Sequence, residues 1–200
     1  YTYLPTLPAG YTVAGGAALP QITVQGSATS ATVGMARMEG APAAYDSWEA
    51  ATAGGVAPGV GDTININGVV ATYKGDIATS GLKTTGSDYK TDGSAEIYKA
   101  GAGYVLLIWP NGVGIVQMTM HDAVISNEAA GTDALSIFAR LNVTLEGNNA
   151  ITTACSGLKN ANSQPNLTIG GDGTLQVNAG HYAISSLYMG DSTDTLTVQG

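Results

Sequence analysis

The chain has one cysteine (Cys155), one phenylalanine and only two arginines, Arg37 and Arg140, among 200 residues. A single thiol excludes an internal disulfide framework. Seven basic residues against fifteen acidic ones leave a net charge of −8, and the bases are scattered. Nucleic acid needs a basic track, so that class of partner is excluded, and anionic membranes are disfavoured for the same reason. Long apolar runs are also missing. The longest, Val105 to Trp109, is far too short to cross a bilayer, so no membrane insertion is expected. Charged residues make up only 11% of the chain, too few for the outer faces of a helical bundle. No basic or apolar leader precedes Tyr1, so the chain reads as a mature product from which any signal peptide has been removed. An acidic composition of this kind suits solubility outside a cell, and an extracellular or cell-surface location is expected.

What is abundant is glycine (28 residues), with threonine, serine, asparagine and alanine. Short strands joined by tight turns use such a composition. Four segments share an apolar–Thr–apolar pattern: Met118-Thr119-Met120, Val143-Thr144-Leu145, Leu167-Thr168-Ile169 and Leu196-Thr197-Val198. Their first residues are spaced by 25, 24 and 29 positions. Glycines follow the last three at Gly147, Gly171 and Gly200. A second short strand comes next, Ala150-Ile151-Thr152 in one copy and Thr174-Leu175-Gln176-Val177 in the following one. A third apolar element closes each unit, at Ala134 to Ile137, Gly157-Leu158 and Tyr182 to Ile184. Three strands per unit of about two dozen residues describe a β-solenoid. Alternation puts Val143 inside and Thr144 outside. The repeat therefore predicts an inward column of Val143, Leu167 and Leu196, and an outward column of Thr119, Thr144, Thr168 and Thr197. An antiparallel sandwich would not require a motif at near-constant spacing.

The fold class expected is all-β, a right-handed parallel β-helix with an N-terminal capping region. The capping region is assigned to residues 1–60, where five of the seven prolines fall and where Tyr45 to Ala51 reads as a short helix N-capped by Asp46 or Ser47. A helix bearing Trp48 would cover the first coil. Residues 61–112 are assigned to early strands and a long exposed loop over 75–94, with Pro110-Asn111-Gly112 as a turn between two apolar runs. Residues 113–200 are assigned to the coils. Leu196, Thr197 and Val198 open a new coil with no cap after them. Either the chain continues or that edge docks head-to-tail on another copy, and Ile22 to Gly26 nearly repeats Leu196 to Gly200.

Three runs carry a family resemblance: Met118 to Ile125, Leu141 to Ile151 and Leu167 to Leu175. They resemble the secreted bacterial β-helix proteins described as carbohydrate-binding, within the broad pectate-lyase-like solenoid class, over roughly residues 104–200. The resemblance implies a parallel β-helix on or outside a cell, with acidic polysaccharide as a candidate ligand. It implies no activity, because the matching positions are core and turn residues.

Catalysis is not expected. A lyase on this fold needs a basic proton abstractor with carboxylate-held Ca²⁺, and Arg140 is the one arginine in the coils, without an acidic cluster at repeat spacing. Hydrolases need paired carboxylates, and Gly180-His181-Tyr182 only faintly echoes their histidine motif. His121-Asp122 reads as two strand neighbours on opposite faces, and Cys155 as a small residue in a turn. No cofactor is expected. Gly170 to Leu175 lacks the aspartate of a Ca²⁺-binding nonapeptide, leaving Asp191 and Asp194 as the candidate Ca²⁺ ligands beside the ordinary reading of a solvated turn. The candidate ligand-binding residues are His181, Tyr182 and Tyr188, an aromatic platform with polar flanks. The function expected is a non-catalytic adhesive or polysaccharide-binding module of the cell surface. The alternative is a structural subunit of an extracellular filament built from copies of itself through Leu196, Thr197 and Val198. A polysaccharide lyase ranks third.

Overall fold

The computed structural model describes residues 42–78, 81–127, 131–160 and 166–186, together with the backbone of Thr2–Tyr3, Ile22–Thr23 and Thr195–Val198. The chain divides into two units, Tyr1–Ala43 and Ala44–Gly200. In the first, strands β1 (Thr2–Tyr3) and β2 (Ile22–Thr23) pair antiparallel. The second is a β-solenoid of about four turns.

The first part of that unit is built from hairpins. Strand β3 (Ala44–Tyr45) leads into helix α1 (Trp48–Ala51), whose N-cap Ser47 accepts a hydrogen bond from the Ala50 N–H. Strands β4 (Thr63–Ile66) and β5 (Val69–Asp76) form a hairpin closed by Asn67-Gly68. Both turn residues have positive φ, 51° and 91°, the conformation that a two-residue turn needs to match strand twist. The segment expected as an exposed loop over 75–94 instead holds β6 (Leu82–Lys83), a strand too short to announce itself, and a 3-10 turn over Gly86–Asp88. Strands β7 (Ala95–Ala100) and β8 (Gly103–Ile108) form a second hairpin, and β8 runs antiparallel to β9 (Val116–His121) across the turn expected at Pro110 to Gly112.

From β9 onward the chain coils. β9, β10 (Val124–Asn127) and β11 (Leu135–Ile137) make one coil, and β12 (Leu141–Glu146), β13 (Asn148–Thr153) and β14 (Leu158–Asn160) the next. β15 (Asn166–Gly171), β16 (Thr174–Ala179) and β17 (Ile184–Ser186) make a third, and β18 (Thr195–Val198) opens another. Corresponding strands stack in parallel, giving one mixed sheet of nine strands and two parallel sheets, β10-β13-β16 and β6-β11-β14-β17.

The stacking register corrects the expected columns. Val143 lies beside Met118 as expected, but Leu167 pairs with Leu141 and Ile169 with Val143. Leu196 then pairs with Leu167. Two slipped residues keep every apolar side chain on the inward face, because side chains alternate with period 2, so the repeat pattern was blind to the slip. The outward threonines do not form one column. Thr119 and Thr144 stack and then meet Gly170, whereas Thr168 and Thr197 continue the row of Gln117 and Asn142. The glycines that follow the repeats are offset in the same way, since Gly171 pairs with Leu145 and not with Gly147. A Cβ on Gly171 would fall 2.4 Å from the Leu145 carbonyl oxygen, so close coil contact is its reason. Gly200 lies outside the described residues.

Two apolar clusters hold the unit together. One fills the coils with Val105, Leu107, Met118, Met120, Ile125, Leu135, Leu141, Ile151, Leu158 and Leu167 among its members. The second covers the opposite face of the mixed sheet, with Trp48, Ile64, Tyr73, Ile97, Tyr104 and Leu106. Trp48 therefore packs on the sheet's second face, its ring 5.3 Å from that of Tyr104, and donates a hydrogen bond to the Ala102 carbonyl. Strand β8 is buried on both faces, which accounts for its continuous apolar run.

Candidate functional site

The corner between the second and third sheets gathers the reactive side chains of the coils. Strand register aligns Leu135, Leu158 and Ile184, and the residues just before them stack in the same way. The Ala134 N–H donates to the Ser156 carbonyl, Gly157 N–H to Tyr182 and His181 N–H to Cys155. Asp133, Cys155 and His181 thus come from three successive coils. The Cys155 Sγ lies 3.6 Å from His181 Nδ1. The Asp133 carboxylate accepts from the Ser156 N–H at 3.2 Å and lies 3.1 Å from the Lys159 ammonium. Burial works against the charge on Asp133, but hydrogen bonds from the Cys155 thiol, Lys159 and the Ser156 N–H outweigh it and hold the carboxyl below its ordinary value.

His181 and Tyr182 stand exposed at this corner, Tyr182 at 65%. Beside them runs the outer face of the third sheet, where Lys83, Ser136, Lys159 and Ser185 occupy one row across β6, β11, β14 and β17. Two of the seven basic residues thus share a row in an acidic chain. Nothing in the local sequence around Lys83 announced that neighbour. Of the other expected site residues, Tyr188, Asp191 and Asp194 lie outside the described residues. Leu196, Thr197 and Val198 form the backbone ladder of β18 on β15. Among the described residues, no three His, Cys, Asp or Glu side chains gather as a metal would require. No helix among them is long and apolar enough to cross a membrane.

A second polar cluster sits on the outer face of the mixed sheet. His121 stacks on Tyr104 with ring centroids 5.0 Å apart, and its Nδ1 lies 3.0 Å from Glu146 Oε2. Asp122 does not simply point to the opposite face. Its φ of 45° ends the strand in the left-handed region, which brings its carboxylate within 3.7 Å of His121 Nε2 while accepting from the Asn148 N–H. The signal for this group was the coil spacing, since Glu146 follows His121 by 25 residues. Tyr104 is 4% exposed, so it backs the imidazole and offers no platform of its own. Burial, then the charges of Glu146 and Glu49, push its phenol up to about 12.

Glu96, a buried carboxylate on β7, is structural in its surroundings. Glu96 bonds Lys90, receives hydrogen bonds from Tyr98 Oη and Trp109 Nε1 at 3.1 and 3.3 Å, and lies 3.4 Å from the Lys74 ammonium. Burial opposes its charge, and these partners outweigh the penalty and lower its carboxyl. A shallow cavity of about 290 Å³ next to α1 is lined by Trp48, Thr52, Val56, Lys99 and Gly101 among others, and Lys99 is already paired with Asp76 at 2.7 Å.

Comparison with protein-family models, with curated proteins and with solved structures finds no match to this chain.

Proposed function

We propose that the chain is a non-catalytic β-solenoid module of the cell surface or extracellular space that contacts polysaccharide at the corner and outer face of its third sheet. The observation that carries this reading is Tyr182, 65% exposed on a coil corner beside His181 and three residues before Ser185, which shares a row with Lys159 and Lys83. Sugar rings are held by an aromatic face with polar groups around it. In a chain of net charge −8, Lys83 on that face lowers the repulsion an acidic glycan meets, while Lys159 is already paired with Asp133 at 3.1 Å. The coils are right-handed in this reading, the hand that parallel crossovers take. The resemblance of Leu141 to Ile151 and Leu167 to Leu175 to secreted carbohydrate-binding β-helices supports the same setting.

A hydrolase or lyase needs an acid and a base converging on one open cleft. His121 with Glu146 and Cys155 with His181 lie at different places on the coils, so these groups do not converge on one point. Titrating the chain with acidic oligosaccharides, and separately with neutral ones, tests the reading. Acidic glycans are expected to bind, and Tyr182→Ala to weaken binding about ten-fold, or about 1.4 kcal/mol. Absence of binding, or equal binding by Tyr182→Ala, would overturn it. Release of unsaturated uronides from the same glycans would establish a lyase instead.

A further inference from the structure

We infer, resting on the glycan reading above, that the ligand lies lengthwise across the third sheet, from Tyr182 at one end to Lys83 at the other. It is then a run of several linked sugars that carries an acidic group over Lys83. The residue that points there is Lys83 itself. The chain has five lysines, and four of them meet a carboxylate: Lys74 and Lys90 at Glu96, Lys99 at Asp76 and Lys159 at Asp133. Lys83 is exposed and makes no ion pair among the described residues. In a chain of net charge −8, an uncompensated ammonium is a point that attracts an external anion while the acidic surface around it repels one.

The backbone fixes where that charge stands. Leu82 is 5% exposed and turns inward, so alternation along β6 sets Lys83 on the outer face. β6, β11, β14 and β17 are successive rungs of one parallel sheet, with Lys83, Ser136, Lys159 and Ser185 in register. Tyr182 belongs to the coil of β17 and lies three residues before Ser185. Lys83 is thus three rungs from that coil, roughly 14 Å at about 4.8 Å per rung. A single sugar ring, or two, cannot reach across; a longer chain can. Between the two ends the row holds no second unpaired lysine, because the Lys159 ammonium is taken by Asp133 at 3.1 Å. A short ligand on Tyr182 therefore gains nothing from Lys83, and a long one does.

The test is calorimetric titration of the full chain with uronate oligosaccharides, from the monosaccharide to the octasaccharide, beside sulfated and neutral series of the same lengths. The native chain is expected to bind the longer uronates about five-fold more tightly than the disaccharide, the gain that one exposed ion pair supplies, and to lose that gain in high salt. Lys83→Ala should remove the gain with length, Lys83→Arg should keep it, and Tyr182→Ala should weaken every length alike. The same gain with sulfated chains alone would support the assignment with sulfate as the acidic group. Affinity that does not change with length would overturn it, as would a gain that survives in Lys83→Ala or that neutral chains share. In those cases a loss of binding in Tyr182→Ala would show that the glycan reading stands without it. Absence of binding at any length would overturn both.

Discussion

Asn149 is 2% exposed and touches three coils at once. Its Oδ1 accepts from the Ala123 N–H of the preceding coil at 2.9 Å, and its Nδ2 donates to the carbonyls of Glu146 and Thr174 at 3.1 Å each. Removing the amide strands the buried Ala123 N–H and takes one hydrogen bond each from the Thr174 and Glu146 carbonyls, the latter still accepting from the Asp122 N–H. Asn149→Ala is therefore expected to cost about 3 kcal/mol, read as a lower urea midpoint with an unchanged slope. Asparagine is common in this chain, so nothing at sequence level set Asn149 apart from Asn148 or Asn142. Tyr182, by contrast, stood out in sequence by its place beside His181 in the last coil, and its exposure of 65% is what the structure adds. The buried phenols make a second prediction. Burial, then nearby carboxylate charge, raises Tyr73, Tyr98 and Tyr104, the last from 10.0 to about 12. The folded chain holds these protons more tightly than the unfolded one. The stabilisation they contribute is therefore complete below about pH 10 and is lost as pH rises towards about 12. Absorbance titration of tyrosinate is expected to show a late-ionising class whose transition coincides with loss of strand signal.

At the scale of elements, the third sheet is the simplest part and the most informative. Leu82, Leu135, Leu158 and Ile184 form one inward row, and Leu135 and Leu158 are fully buried. Leu158→Ala is expected to destabilise the chain by about 3 kcal/mol, a lost side chain plus a cavity that stacked neighbours on both sides cannot close, measurable by the same urea titration. The three-strand coil was legible from Val113 onward because its apolar residues recur at near-constant spacing. Of the hairpins before it, only the turn at Pro110 to Gly112 was. β6 contributes only Leu82 and Lys83 to the ladder, which no periodicity can reveal. β7 and β8 are buried on both faces at several positions, so the alternation that marks a coil strand is erased. The candidate site was legible only in part. His181 and Tyr182 follow one another in sequence, whereas Cys155, Asp133 and the lysine row reach them through the coil register.

For the molecule as a whole, register is the central claim, because it decides which side chains share a row and hence every site described above. The sequence repeat aligns Thr168 with Thr144, while the structure pairs Thr168 with Asn142 and leaves Thr144 opposite Gly170. Parallel neighbours in a ladder lie roughly 4.8 Å apart, inside the range that a disulfide spans. Cysteine pairs can therefore be placed to separate the two alignments in a Cys155→Ser background. Mild oxidation of Asn142→Cys with Thr168→Cys is expected to close a disulfide in nearly all molecules, and Thr144→Cys with Thr168→Cys to leave both thiols free. Cross-linking of the second pair in place of the first would contradict the register, and with it the stacking of the third coil that sets His181 beside Cys155.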